Sequence, residues 1–330
     1  MQQLERVLHL MKRFKNILVV CDEASAYEHA FDRVEWLAQA NDADVTLVDV
    51  IDTEPGELSR LLAALPGRKG AEVEDEIIET HASRLEELAQ GLRKKGLRVQ
   101  TQVLQGTAFI QVIRKVLRDG HDLVIKGAQR SPGQPFFRGP DMHLMRKCPC
   151  PVWVLNSAVG PKAGRILAAV HPSEGETEIH ARLSRTVMEL STSLARQDGA
   201  RLDVMHVWQL EEEGTLRHGL AKVPPEDIDA LVTKIGETTR AQLDKLVGGF
   251  TDFNDLMRVL HIKGIPEDVI SEHVEAEGID TVVMGSVGRS GIAGLFIGNT
   301  AETILNRVKC SVLTVKPVDF VSPVTLEEGA

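Results

Sequence analysis

His121-Asp122-Leu123-Val124-Ile125-Lys126-Gly127 and Ile279-Asp280-Thr281-Val282-Val283-Met284-Gly285 are two versions of one segment: an acid, an apolar run and a glycine. The match extends to either side. Ile17-Leu18-Val19-Val20 answers to Ile166-Leu167-Ala168-Ala169, Gly106 to Gly264, and Cys150 to Cys310 at the opening of a last apolar run. An internal duplication of this kind narrows the fold more than composition does. Short continuous apolar runs predict strands buried on both faces, and the helical spacing between them predicts a parallel sheet covered on both sides.

In the first half the pattern predicts strands at 16–21, 44–50, 97–104, 121–126 and 151–155, with helices at 26–40, 71–95 and 107–117. In the second it predicts strands at 165–170, 201–207, 255–262, 280–284 and 311–316. Helices are predicted at 179–196 and 225–247, and a third from Pro266, since proline favours a first helical turn. The fold class is therefore α/β, as two tandem Rossmann-like, doubly wound domains, each with a five-stranded parallel sheet. The expected boundaries are an extension at 1–14, domains at 15–156 and 165–317, a linker rich in small residues at 157–164, and a tail at 318–330. Ligands of such sheets bind beyond the carboxyl ends of the strands, where the winding reverses.

At that place the second half carries Gly285-Ser286-Val287-Gly288, nine residues, then Gly298-Asn299-Thr300, between an apolar run and a helical pattern through Ala301, Ile304, Leu305 and Val308. A strand that runs through glycines into a helix N-terminus suits phosphate. Glycine lets backbone N–H groups approach an anion, and the helix start adds open donors and a partial positive charge. Arg289 adds a charge-assisted contact.

With Gly285-x-x-Gly288, nine residues and Gly298-Asn299 in strand–loop–helix context, the chain resembles the universal stress protein family, in particular its tandem-domain, E-type members. The resemblance runs from Lys15 to Pro317. It implies an adenine nucleotide, ATP-like, with phosphates on Gly285, Gly288, Arg289, Gly298, Asn299 and Thr300, and with Met284 and Val207 near the base. The end of the first strand falls at Val170-His171. Many nucleotide-binding members have Asp where this chain has His171. The first half keeps the acid, as Asp22, but reads Gly127-Ala128-Gln129-Arg130, with Arg130 at the second glycine position and Pro140 at the third. The resemblance thus implies nucleotide binding by the second repeat only and a regulatory output rather than turnover. It also implies that the repeats pack with pseudo-twofold symmetry along their fifth strands, while a homodimer of the whole chain stays open. The alternative is a binding protein for an apolar or other small ligand with both nucleotide sites disabled, suggested by Phe136-Phe137 and by the leucines of 58–65.

The remaining features take plainer readings. A net charge of −10 over 330 residues argues against broad nucleic-acid binding. No apolar run is long enough to span a membrane, and residues 1–14 read as a short amphipathic helix rather than a signal peptide. Four cysteines are too few for a disulfide scaffold, so a reducing, cytoplasmic setting is expected and Cys148-Pro149-Cys150 reads as buried structural thiols, not a metal set. His29, His121 and His143 lack ligand spacing and read as surface or satisfied histidines. Trp153 and Trp208 read as core, and Glu211-Glu212-Glu213-Gly214 as solvated loop.

Overall fold

The computed structural model describes residues 14–22, 28–53, 56–57, 60, 70–128, 137, 139–156, 160, 162–172, 178–219, 223–286 and 298–326. Its first repeat runs β1 (Asn16–Val20), α1 (Glu28–Asn41), β2 (Asp44–Ile51), α2 (Gly70–Lys94), β3 (Arg98–Gln105), α3 (Ala108–Asp119), β4 (Leu123–Gly127), α4 (Gly139–Lys147) and β5 (Val152–Leu155). The second runs β6 (Arg165–Ala169), α5 (Glu178–Asp198), β7 (Arg201–Trp208), α6 (Glu213–His218), α7 (Pro225–Val247), a 3-10 segment (Gly248–Leu256), β8 (Met257–Lys263), α8 (Pro266–Glu277), β9 (Thr281–Gly285), α9 (Asn299–Arg307) and β10 (Ser311–Val315).

All ten strands form one sheet in the order β3-β2-β1-β4-β5-β10-β9-β6-β7-β8. Within each repeat every pairing is parallel. The repeats meet along their fifth strands, which pair antiparallel with Leu313 opposite Trp153. That pairing removes two exposed edges at once. Two apolar clusters, one on each face of the sheet, run through both repeats. Leu37, Leu85, Trp153, Leu183, Leu243 and Leu313 belong to one, and Val112, Leu144, Val152, Ile270, Ile304 and Val312 to the other. The winding reverses between β1 and β4, and again between β6 and β9.

Several boundaries move for identifiable reasons. β4 starts at Leu123 because Asp122 turns back to receive the N–H groups of Lys15 (2.6 Å) and Asn16 (3.1 Å). Asp280 does the same for Gly164 (2.7 Å) and Arg165 (2.9 Å). β5 and β10 begin just after Cys150 and Cys310 rather than on them. β8 starts at Met257 because the residues before it coil into the 3-10 segment. Glu213 and Gly214, expected in a loop, open α6, where Glu213 pairs with Arg217 (2.9 Å) and Lys263 (2.8 Å). Of the expected N-terminal helix only Phe14 is described, and it is buried. The tail returns to the first repeat, where the Arg114 guanidinium donates to the Thr325 carbonyl at 3.1 Å.

Candidate functional site

In the second repeat the reversal point is framed by the ends of β6, β7 and β9 and by the start of α9. The Ser286 N–H donates to the Val315 carbonyl (3.1 Å) and the Gly298 N–H to the Ser286 carbonyl (3.2 Å), so the two ends of the glycine loop are pinned to each other and to β10. Residues 287–297, Gly288 and Arg289 among them, lie outside the described residues. Gly298 is the N-cap of α9, and among the described residues it makes no side-chain cap hydrogen bond. A glycine at this place supplies no side-chain acceptor of its own to the first-turn donors. Asn299 and Thr300 are exposed at this helix start.

The two glycines at the loop's ends differ in what they require. Gly298 sits at φ −64° and ψ 143°, a backbone that any residue adopts. A Cβ on Gly285 would lie 2.6 Å from Leu183 Cδ2, so glycine there lets α5 press against the strand end. Val207 and Met284 are buried in the apolar cluster beneath α8 and α9, whereas Val170 joins the cluster on the opposite face. The structure therefore brings Val207 and Met284 together but not Val170 with them.

His171 is fixed by Ser184, whose hydroxyl accepts the His171 N–H (3.2 Å) and donates to its carbonyl (2.9 Å). It opens a file of imidazoles that the sequence reading missed. The His171 ring lies 5.4 Å from that of His206 and 6.4 Å from that of His180. His206 lies 5.9 Å from His261, which stacks on Trp208 at 5.4 Å and 16°. His206 Nδ1 is 3.1 Å from the Val170 carbonyl, an acceptor only, so that nitrogen carries the proton. Burial, seconded by Arg240 and opposed by Asp244, holds the His261 imidazole below its ordinary pKa. A signal was present: Met205-His206-Val207-Trp208 and Leu260-His261-Ile262-Lys263 place a histidine third from the end of adjacent strands, and β7 and β8 pair His206 with His261. Trp208 is thus a half-buried stacking partner rather than core. A Cβ on Gly236 would come within 2.8 Å of its ring.

The first repeat fills the same place with its own charges. Strand registers set Asp22 against His171, Asp49 against His206 and Lys126 against Met284, and the two nine-residue helices α4 and α9 set Asp141 against Ala301. Lys126 is 2% exposed; its ammonium lies 3.0 Å from Asp22 and 2.9 Å from Asp141, which is fully buried in the first turn of α4. The helix start therefore already has an anion beside it. Asp49 is bound by His81 (2.6 Å) and approached by Arg84 (3.7 Å). Phe137 is 1% exposed within the core. Pro140, aligned above with the third glycine, instead sits inside α4, because positions 128–138 here span what 286–298 span in the second repeat, a loop two residues shorter. Arg130 and Phe136 lie outside the described residues.

Two buried groups depart from expectation. His121 is 5% exposed with neither ring nitrogen hydrogen-bonded, and burial holds its pKa below the ordinary value. Lys316 is 6% exposed; it donates to the Met145 carbonyl (2.7 Å) in the first repeat and to Ser286 Oγ (2.5 Å) at the base of the glycine loop. Burial pushes its ammonium down to about 7.

The profile described as the universal stress protein family matches residues 13–156 and again 163–316. The chain belongs to the universal stress protein family. It is 28% identical to Universal stress protein E of Escherichia coli K12, across 96% of this chain and 99% of that protein. It is 25% identical to Universal stress protein E of Photorhabdus laumondii, across 95% and 98%. Among solved structures, a functionally unknown protein of Pseudomonas aeruginosa PAO1 superposes with a TM-score of 0.70 at 22% identity, covering 94% of this chain and 95% of that one. A universal stress protein of Archaeoglobus fulgidus does so at 0.62 and 15%, covering 94% and 99%. These two likenesses concern the fold. The chain is a tandem of universal stress domains, with Asp22, Lys126 and Asp141 forming ion pairs in the first and a glycine N-cap opening α9 in the second. Among the described residues no helix is long and apolar enough to cross a membrane, and no group of His, Cys, Asp and Glu is placed to hold a metal ion.

Proposed function

We propose that this is a stress-response protein in which the second universal stress domain binds an adenine nucleotide, ATP-like, and the first does not. The observation that carries the reading is the contrast at equivalent positions. Where the first repeat has Lys126 paired with both Asp22 and Asp141, the second has His171, Met284 and Ala301, beside a helix whose N-cap is Gly298. The phosphates lie against Gly285, Gly288, Gly298, Asn299 and Thr300 with Arg289 as the counter-charge, and the imidazole file faces the remainder of the ligand. Histidine at position 171 gives up a carboxylate acceptor but removes a negative charge that would repel phosphate. Phe137 packs in the core, which takes one support from the apolar-ligand reading. The output is regulatory, through contacts between the repeats. Lys316 offers such a link, joining Ser286 to Met145. The four described cysteines are free thiols, which suits the reducing cytoplasm.

Transplanting the first repeat's ion pairs tests this directly. His171→Asp, Met284→Lys and Ala301→Asp together set two carboxylates and an ammonium around the helix start while retaining a combination of residues that this fold already accommodates. By calorimetry the wild-type chain binds ATP with a Kd below about 1 mM, more favourable than about −4 kcal/mol. The triple variant loses detectable binding. Wild-type protein that binds no ATP at that concentration, or a triple variant that binds as well as wild type, rejects the assignment.

A further inference from the structure

We propose that Cys148 and Cys150 are a redox-active dithiol that a hydroperoxide converts into an intramolecular disulfide at the junction of the two repeats. Their sulfurs lie 3.5 Å apart, so a small side-chain rotation reaches bonding distance. Cys148 ends α4, its N–H donating to the Leu144 carbonyl at 2.9 Å, and Cys150 stands just before β5, the strand that joins the repeats. Pro149 and Pro151 fix the backbone on either side of Cys150. Cys148 is fully buried and Cys150 partly exposed, which assigns their order of reaction.

The other two thiols are buried and have no cysteine two residues away with which to close a disulfide. Burial pushes the Cys310 thiol up to about 12 and that of Cys21 higher still. Cys310 is the repeat equivalent of Cys150, yet Val308 stands where Cys148 does, so the second repeat has no pair to close. The first repeat also has a cation at hand. Lys316 binds the Met145 carbonyl three residues before Cys148, and the charge on Cys148 favours its ammonium against burial. The hydrogen bond to Cys148 raises the pKa of the Cys150 thiol well above its ordinary value, so oxidation starts from the minor thiolate fraction of the more exposed sulfur.

The chemistry closes in two steps. Cys150 sulfur attacks a peroxide oxygen; an S–O bond forms, the O–O bond breaks, and the Cys150 proton leaves with the departing oxygen as water or an alcohol. Cys148 sulfur then attacks the Cys150 sulfenic acid; the S–S bond forms, the S–O bond breaks, and hydroxide departs as water with the Cys148 proton. Each sulfur loses one electron and the peroxide gains two.

The test uses the full-length reduced chain, hydrogen peroxide in slight excess, alkylation under denaturing conditions and unreduced peptide mapping. The expected product is a peptide containing Cys148 and Cys150 that is two hydrogens lighter, with Cys21 and Cys310 alkylated. Cys148→Ser stops at a Cys150 sulfenic acid that dimedone captures, and Cys150→Ser leaves Cys148 reduced. Lys316→Gln keeps an N–H donor for Met145 and Ser286 but removes the charge. It lengthens the sulfenic acid's lifetime, because the cation held at the Met145 carbonyl, three residues before the resolving sulfur, is gone. Cys150 carried on to sulfinic acid while Cys148 stays alkylatable, or both thiols unchanged when Cys21 or Cys310 has reacted, overturns the proposal. An unchanged lifetime in Lys316→Gln removes Lys316 from it.

Discussion

Replacing Lys126 by methionine lowers the stability of the first repeat by about 3–5 kcal/mol, the usual cost of removing one member from a buried ion cluster. The size follows from what is left behind. Asp141 is fully buried and Asp22 largely so, and both pair with the same ammonium, at 2.9 and 3.0 Å. Methionine fills the volume of lysine, so the loss is electrostatic rather than a cavity. The second repeat supplies the compensating set. Asp22→His, Lys126→Met and Asp141→Ala together reproduce His171, Met284 and Ala301, and recover most of the loss. Denaturant unfolding of the three proteins measures both effects. A single variant as stable as wild type, or a triple variant no better than the single, shows that Lys126 does not hold this site together. The triple variant gains no nucleotide site, because its loop remains two residues short.

The second large effect is expected at the junction. Arg33→Ala costs about 3–5 kcal/mol, for a pair that is buried on both sides. Arg33, on α1, donates to both carboxylate oxygens of Asp198, at the end of α5, at 2.7 Å each. Asp198 also receives Trp36 Nε1 (3.2 Å) and the Ala163 N–H (2.9 Å), and the guanidinium lies 4.5 Å from the centre of the Trp153 ring. One carboxylate of the second repeat thus gathers α1, β5 and the segment between the repeats. A double-mutant cycle on Arg33 and Asp198 gives a coupling well above 1 kcal/mol. The cycle on Arg146 and Glu302, which also bridges the repeats but is partly exposed, gives about 1 kcal/mol or less. Equal couplings for the two pairs contradict this ranking.

What could be seen in the chain beforehand was governed by periodicity. Apolar runs such as Leu123-Val124-Ile125 and Thr281-Val282-Val283 declare buried parallel strands, and their recurrence declares two repeats. The junction at β5 and β10 also follows from the repeats, since a twofold needs a shared edge. The ion cluster does not follow. Lys126 ends an apolar run and looks like a strand emerging into solvent; only the sheet order, with β1 beside β4, brings Asp22 to it, and only the first turn of α4 brings Asp141. Lys316 is concealed in the same way, since its partners Met145 and Ser286 belong to different repeats. His206 and His261 were legible in principle, for the alternation of β7 and β8 sets them on one face. Their register, not their composition, makes them neighbours of His171. A charged residue at a strand end thus has its environment set by neighbouring strands, which local sequence does not specify.

The central claim is an asymmetry: one nucleotide site per chain, in the second repeat. Native mass spectrometry of the intact chain titrated with ATP counts bound ligand directly. The account predicts a single adduct that saturates at one nucleotide per chain and is absent from the His171→Asp, Met284→Lys, Ala301→Asp variant. Two adducts per chain, or a single adduct that survives in that variant, would contradict it.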